Sequence, residues 1–589
     1  MIKYRFKIEE IQLRNKKEFK PSRINVFVGA NNCGKTQLLE ELFAFIIGKS
    51  IPHILTRRID IALPKTWNAL RESYEYRVIN VDGGKALSCI APTFSEPPVV
   101  NSFSHDLESI LNTYLSNRQD DVQLRQWIGP NLITYLNTEE RLKLANRQKS
   151  HGISQGPNNL LELLYVMEES DFDKINHFTH NIFQKKVLLS PFNPGMLELK
   201  INDDFANIET ERPQKAYKLL KALPVLDKQG DGVRSAIGII AALVCSEKKP
   251  IILLDEPEAF LHPPQALQIG AILGKLVHPT QQIFIATHSA DFLRGLFSNE
   301  QDIIDDLKIV HIERDSNDAI TFNVLETETL NKIITDPLLS SSRVLEGLFY
   351  KGVVATEADA DAVFYQRAFQ KIGLGDEIHF INAHNKQTLK KVIEPYQKLG
   401  IRFAMIADAD VLRDEHDFKE ILQIAQDTKL KERILELRRK IVSHFEKQNN
   451  YDLLIELRKN IKLLTERELI SKDSSDETIA SELFEIRKEL KKFRDDAEKF
   501  AKLKKEGKKA LPEALKANFD VMWRLCASVG LFIVYVGELE SWLLDYGINR
   551  KSSKKNWITE ALTELCDMEI NDDKELWKFI NELKVYFSK

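Results

Sequence analysis

The stretch "RINVFVGANNCGKTQLLEELFAFIIG" (23–48) constrains this chain more than any other. An apolar run breaks on a glycine-containing loop and passes at once into a helix-periodic pattern. Strand, tight loop, helix is the opening of a parallel α/β unit, because the helix must cross back over the sheet. Inside it, "GANNCGKT" fits G-x-x-x-x-G-K-[ST]. The glycines let the loop wrap so that backbone N–H groups point at phosphates. Lys35 places a charge on the β/γ-phosphates, and Thr36 offers a hydroxyl to Mg2+. The following helix adds the positive end of its dipole. Gly29, Asn31, Asn32, Cys33, Gly34, Lys35, Thr36 and Gln37 are therefore the candidate nucleotide-binding residues. A bare glycine turn is the plain alternative, and the flanking strand and helix favour the nucleotide.

Two later runs fit the same frame. "PIILLDEPEAFLHP" and "QQIFIATHSADFL" are short apolar stretches that stop on polar residues, the pattern of parallel strands buried on both faces. The first delivers Asp255, a candidate partner of the metal shell at Thr36. Glu256 follows, placed to orient or deprotonate an attacking water. The second puts His288 at a strand tip, where it can meet a γ-phosphate.

From about residue 345 a second α/β pattern starts. "GVVATEADADAVFY" ends an apolar run on Glu357, with Asp361 one helical turn later. "FAMIADAD" ends on Asp408 and Asp410, and "LFIVYVGELESWL" ends on Glu538 and Glu540. Residues two apart on a strand share a face, so alternation predicts that each pair addresses one ion. Clustered carboxylates repel unless cations compensate. Mg2+ prefers such oxygen ligands, and one or two such ions can direct water onto a phosphodiester. A single acid at a strand end is ordinarily a solvated loop residue; three strand ends in one unit favour metal chemistry.

Residues of about 415–515 carry mixed-sign charge with leucine spacing. This predicts solvated helices, a hairpin or short coiled coil turning at "KDSSDET". The basic run "KLKKEGKK" (502–509) reads as a solvated helix end, with contact to backbone phosphate as the alternative. Lys351, Lys386, Lys390 and Lys391 lie near the acids in sequence as further candidate cations. The middle stretch, about 50–215, is less regular. "HDLESILNTYLSNRQDDVQLRQWIG" and "NNLLELLYVMEESDFDKINHFTHNIFQK" have helical periodicity, so a largely helical insertion is expected there. The best boundary lies at "LLSSSRVLEG" (338–347), dividing 1–340 from 341–589.

At 589 residues the chain is too long for one core. A net charge of −4 excludes a global basic signature, so any polyanion site is local. Cys33, Cys89, Cys245, Cys526 and Cys566 are scattered, which fits neither a disulfide framework nor a zinc site. The opening "MIKYRFKIEEIQLRN" alternates as a strand does and is no signal peptide, and no apolar run approaches about 18 residues. A reducing cytoplasm without membrane attachment is expected.

The order of the first set of motifs resembles the ABC-type ATPases, with Walker A at 29–36, Walker B and its glutamate at 251–256, and the switch histidine at 288. Their signature loop would be "QGDGVRSAIGII" (229–240), which departs from the usual serine-glycine-glycine form. The resemblance implies that Asp231 and Gly232 cap the nucleotide of an opposite protomer and that ATP pairs two heads. A glutamate on a first strand and Asp-x-Asp on a later one resemble the Toprim domain of topoisomerases, primases and some nucleases. Here Ala358 stands where glycine is common.

The combination is similar to the OLD (overcoming lysogenization defect) family of ATP-dependent endonucleases. That resemblance implies an α/β fold: an ABC-type ATPase head with a helical insertion, then a Toprim domain with a charged helical insertion. It implies ATP and Mg2+ as cofactors, with Mn2+ as an alternative at the Toprim site. Glu357, Asp361, Asp408, Asp410 and Glu540 become metal-site residues, with Glu538 competing for the last position. It implies a homo-oligomer, at least a dimer, acting on nucleic acid, DNA ahead of RNA. It also implies anti-phage defence of the Gabija kind, with a helicase, reverse transcriptase or other effector as a second protein. Three functions follow: an ATP-gated DNA endonuclease, a Toprim ribonuclease cutting tRNA, and an ATP-driven sensor with a silent Toprim unit.

Overall fold

The computed structural model describes residues 6–588, except 15–16, 64–65, 67, 69–76, 82–83, 90–98, 104–108, 110–111, 114–115, 117–120, 151–156, 194, 207, 209–212, 247–248, 299–303, 315–319, 467–474 and 549–553. The helix expected over most of 105–120 and the start of the turn expected at 472–478 lie outside the described residues. The chain divides into two compact units, Met1–Phe349 and Tyr350–Lys589.

The first unit is built on a six-stranded sheet, in the order Ile320–Val324, Leu307–Arg314, Ile24–Val28, Gln282–Ala286, Ile251–Asp255, Ile133–Leu136. All neighbours are parallel except the first pair. Ile24–Val28, Ile251–Asp255 and Gln282–Ala286 are buried at every position, which is why they read as unbroken apolar runs. Their C-terminal ends point the same way, so the glycine loop, Asp255 and the His288 turn emerge along one edge. The opening strand, Lys7–Leu13, alternates exposed and buried positions and pairs antiparallel with Thr56–Ala62.

The stretch 50–215 contains helices, among them Asp121–Leu132, Leu160–Val166 and Glu169–Phe183. It also contains two antiparallel sheets: Arg77–Val81, Gly84–Cys89 and Val99–Phe103 form one, and Gln148–Lys149, Lys186–Asn193 and Met196–Asn202 the other. "GKALSC" and "VVNSF" lack a sustained apolar pattern, so periodicity alone misses them.

The second unit holds a four-stranded, all-parallel sheet, in the order Ile378–Asn382, Gly352–Thr356, Arg402–Asp408, Leu531–Val534. The strand order reverses between Gly352–Thr356 and Arg402–Asp408, the kind of crevice where open α/β sheets bind ligands. Between the third and fourth strands run Thr428–Glu446, Asn450–Thr465, Asp476–Asp496, Ala501–Glu506 and Glu513–Ser528. Asn450–Thr465 has no buried residue. No described helix is long and apolar enough to cross a membrane.

Candidate nucleotide and acidic sites

In the glycine loop the backbone passes through left-handed conformations at Asn32 (φ 61°) and Gly34 (φ 107°). Gly29, at φ 145°, packs so tightly that a β-carbon would collide with the carbonyl of Ile312. Asn31 and Asn32 are exposed, and Cys33 is buried beneath them. Lys35 opens the helix Lys35–Ile46 and folds back, its Nζ donating to Gly29 O (2.8 Å) and Ala30 O (3.0 Å). Burial lowers the Lys35 pKa. The Thr36 hydroxyl donates to Asp255 Oδ1 at 3.0 Å. Burial raises Asp255 to about 6, against the pull of that hydrogen bond. Gln37 reaches Glu41 Oε1 at 3.4 Å, and buried Glu41 accepts the N–H groups of Ile54, Leu55 and Thr56. The helix behind the loop is thereby held in place.

Glu256 leaves its strand at φ 45°, a strained conformation for a side-chain-bearing residue, and its N–H donates to Ala286 O at 2.8 Å. Its Oε1 lies 3.5 Å from His288 Nε2. Burial, and then the charge of Lys35, lower His288 to about 4, so its imidazole is neutral at neutral pH. Asp231 opens the helix Asp231–Cys245 and pairs with Arg234 at 2.7 Å, with Gly232 beside it.

In the second unit, Glu357 follows the strand Gly352–Thr356, and its Oε1 accepts the N–H of Asp408 at 3.2 Å. Asp361 Oδ2 accepts the Ala358 N–H at 3.1 Å, capping the helix Asp359–Lys371. Burial raises the Glu357 carboxyl to about 7, and the negative fields of Asp410 and Asp361 add to it. Tyr365, whose hydroxyl accepts from Trp542 Nε1 at 2.8 Å, feels Asp361, Asp408 and Glu540 together. The acids thus gather at adjacent strand ends, though not by alternation. The strand ends at Asp408, and Asp410 lies in the single turn Ala409–Leu412. Leu531–Val534 stops short of Glu538, which precedes the 3-10 helix Leu539–Tyr546 that carries Glu540. Lys386 pairs with Asp410 at 3.8 Å, whereas Lys351 pairs with Glu377 and Lys390 with Glu420.

Residues 183–294 match the AAA_21 family, an AAA domain described with the AbiEii toxin of type IV toxin–antitoxin systems. Residues 348–410 match the overcoming lysogenization defect protein-like Toprim domain. The Old nuclease of Escherichia phage P2 is 26% identical over 195 residues, a match covering 31% of this chain and 31% of that protein. Two segments of the chain thus match, in order, an ATPase family and an OLD-like Toprim family, the combination of an ATPase–Toprim fusion. The chain's α/β fold is that of an ATPase domain followed by a Toprim domain. Two SMC structures also overlap it. The SMC head bound to the C-terminal winged-helix domain of ScpA is 13% identical, covers 55% of this chain and 99% of its own, and has a TM-score of 0.32. The SMC head of Thermotoga maritima is 12% identical, covers 54% and 99%, and has a TM-score of 0.28. Superpositions this loose say nothing of what the chain does.

Two residues beside the phosphate loop and the Asp255 turn escaped the motif reading. Arg141 is fully buried in the helix Thr138–Leu144. Its guanidinium donates to the carbonyls of Asp255 and Glu256 (2.8 Å to the latter), and its Nε to Ser235 Oγ at 3.1 Å. It ties the Asp255 turn to the helix that begins at Asp231. Burial lowers Arg141 to about 10, against the fields of Glu258, Asp255 and Glu256. Glu258 Oε1 accepts the Thr287 hydroxyl (2.8 Å) and the His288 N–H (2.6 Å), fixing the histidine turn. Neither residue belongs to a motif, so the sequence offers no signal beyond an arginine in a helix-forming stretch and an acid two residues after Glu256.

The acids of the Toprim unit offer oxygen donors only, which suits a hard divalent cation. Burial is the main cause of the upward shift of Glu357, and the negative fields of Asp410 and Asp361, which such a cation would relieve, add to it. Among the described residues no group of three or more His, Cys, Asp or Glu side chains is arranged to hold a metal ion. The donor chemistry fits, and Lys386 and Lys504 stand beside Asp410.

Proposed function

We propose that this chain is an ATP-hydrolysing, metal-dependent nuclease in which nucleotide state governs phosphodiester cleavage. The observation that carries it is the gathering of Glu357, Asp361, Asp408 and Asp410 at the switch point of a parallel sheet, in a chain that also holds a complete phosphate loop. Lys35 turns from the Gly29 and Ala30 carbonyls to the β/γ-phosphates of ATP. Thr36 and Asp255 hold Mg2+ beside them. Glu256 orients the attacking water, and His288, neutral and pinned through Glu258, meets the γ-phosphate. Asp231 and Gly232 face the nucleotide of a second protomer, so the working form is at least a dimer.

In the Toprim unit, Glu357, Asp408 and Asp410 hold Mg2+ or Mn2+, supported by Asp361 and by Glu540 or Glu538. Bound there, divalent ions supply an activated water and stabilise the leaving oxygen. Asp408 presents its N–H to Glu357 and so fixes the direction of that carboxylate. Nucleic acid is the substrate, DNA ahead of RNA. The setting is cytoplasmic defence against phage, with a second defence protein as partner.

The test is purified protein with Mg2+ or Mn2+, offered plasmid, linear DNA and tRNA, with and without ATP. Glu357→Ala and Asp408→Ala should abolish cleavage and spare ATP hydrolysis. Cleavage that survives both substitutions overturns the site. A second reading, an ATP-driven sensor with a silent Toprim unit, draws on the two lysines paired with Asp410. It wins if ATP turns over and no nucleic acid is cut.

A further inference from the structure

The charged insertion returns to the sheet through Ala501–Glu506, and this return is built into the fold. Leu503 is fully buried. The Lys508 N–H donates to Tyr535 O at 2.8 Å, and Ser541 Oγ donates to Lys505 O at 3.0 Å. Gly537, at φ 114°, lies so close that a β-carbon there would collide with the carbonyl of Lys504. The backbone of Lys504 is therefore clamped onto the loop that follows Leu531–Val534, between that strand and Glu538.

From this position its Nζ reaches Asp410 Oδ2 at 3.5 Å, while Lys386 approaches Oδ1. The side chain of Lys504 is 49% exposed. Ordinary surface ion pairs join two freely moving side chains and contribute little. Here the cation is held by its backbone and open to solvent on one side, against the carboxylates proposed to take metal.

We infer that Lys504, delivered by the insertion, is a substrate-contacting cation of the acidic site, binding a non-bridging phosphate oxygen of the nucleic-acid backbone. Once divalent cations neutralise Asp410, the ammonium no longer has that carboxylate as its main partner. Its three donors then suit a phosphate oxygen. The insertion becomes part of the site rather than a decoration on it. This inference rests on the nuclease reading above.

The test is fluorescence anisotropy of a short labelled DNA duplex with the full chain in Ca2+, across a salt series, for wild type, Lys504→Met, Lys504→Gln and Lys504→Arg. The two neutral variants make the test independent of either one's folding. Loss of one phosphate contact should weaken binding about 3- to 10-fold regardless of sequence and lower the salt slope by roughly one, with Lys504→Arg restoring the slope. Wild-type binding with an unchanged slope in the folded neutral variant overturns the Lys504 assignment alone. Absence of wild-type binding, together with absence of cleavage in Mg2+ or Mn2+, overturns the nuclease reading and this inference with it.

Discussion

In the first unit the loop, the lysine and the hydroxyl proposed to take nucleotide and its Mg2+ come from eight consecutive residues, Gly29–Thr36. In the second, the charged groups come from three strand ends and from a helix that returns nearly a hundred residues after Asp410. Both sites sit at the C-terminal ends of parallel strands. The first carries its cation inside its own motif, in a conformation set by the loop backbone. The second borrows cations from a neighbouring turn and from an insertion. A contiguous site can be read as a word; a dispersed one can be read only as a list of ingredients until the fold assembles it.

The sharpest way to break this comparison is to remove one site and watch the other. Lys35→Ala should cut ATP turnover by about 100-fold or more, since a charge aimed at the developing phosphate charge is lost. Mn2+ binding to the Toprim acids, followed by titration calorimetry, should be unchanged; a parallel loss would mean the two sites are one.

Arg141→Ala leaves the Asp255 and Glu256 carbonyls without their donor. Urea unfolding should show a loss of about 3–5 kcal/mol, with Arg141→Lys intermediate because it lacks the fork.

The next test uses protons. Glu357 is raised to about 7. The folded chain therefore binds more protons there than the unfolded chain between about 4.5 and 7, and stability falls as pH rises through that window, by on the order of 2–3 kcal/mol. Metal-free protein should melt lower at pH 8 than at pH 5 by the fluorescence of Trp523, Trp542, Trp557 and Trp577, all in the second unit. Glu357→Gln should flatten the profile. In the first unit Asp255, at about 6, pulls the same way. His288, at about 4, pulls the other way: the unfolded chain binds its proton first, so stability rises with pH between about 4 and 6.5. The first unit should show the shallower dependence, and equal slopes would undo the contrast.

The smallest effect is at Glu258. Glu258→Gln keeps one acceptor for the histidine turn. It should lower kcat for ATP a few-fold, about 1 kcal/mol, with KM little changed.

Much of this was legible early because burial on both faces writes itself as apolar runs. Ile251–Asp255, Gln282–Ala286, Gly352–Thr356 and Arg402–Asp408 all announce their ends by a change of chemistry. Asp408 and Asp410 do not share a strand face as alternation predicts, because the chain leaves the extended state after Asp408 and Asp410 lies in the turn Ala409–Leu412. Arg141 was hidden because a buried arginine looks in sequence like any helical surface charge. Lys504 was hidden among neighbours of the same kind, and only the crossing at Gly537 singles it out.

The left-handed backbone at Glu256 has a further implication. Glycine tolerates that conformation freely, so a glycine at this position should relax the turn and raise the melting temperature while silencing hydrolysis. Robustness and catalysis would then part company at a single position, and a screen for sturdier variants would quietly collect enzymes that bind ATP and never let it go.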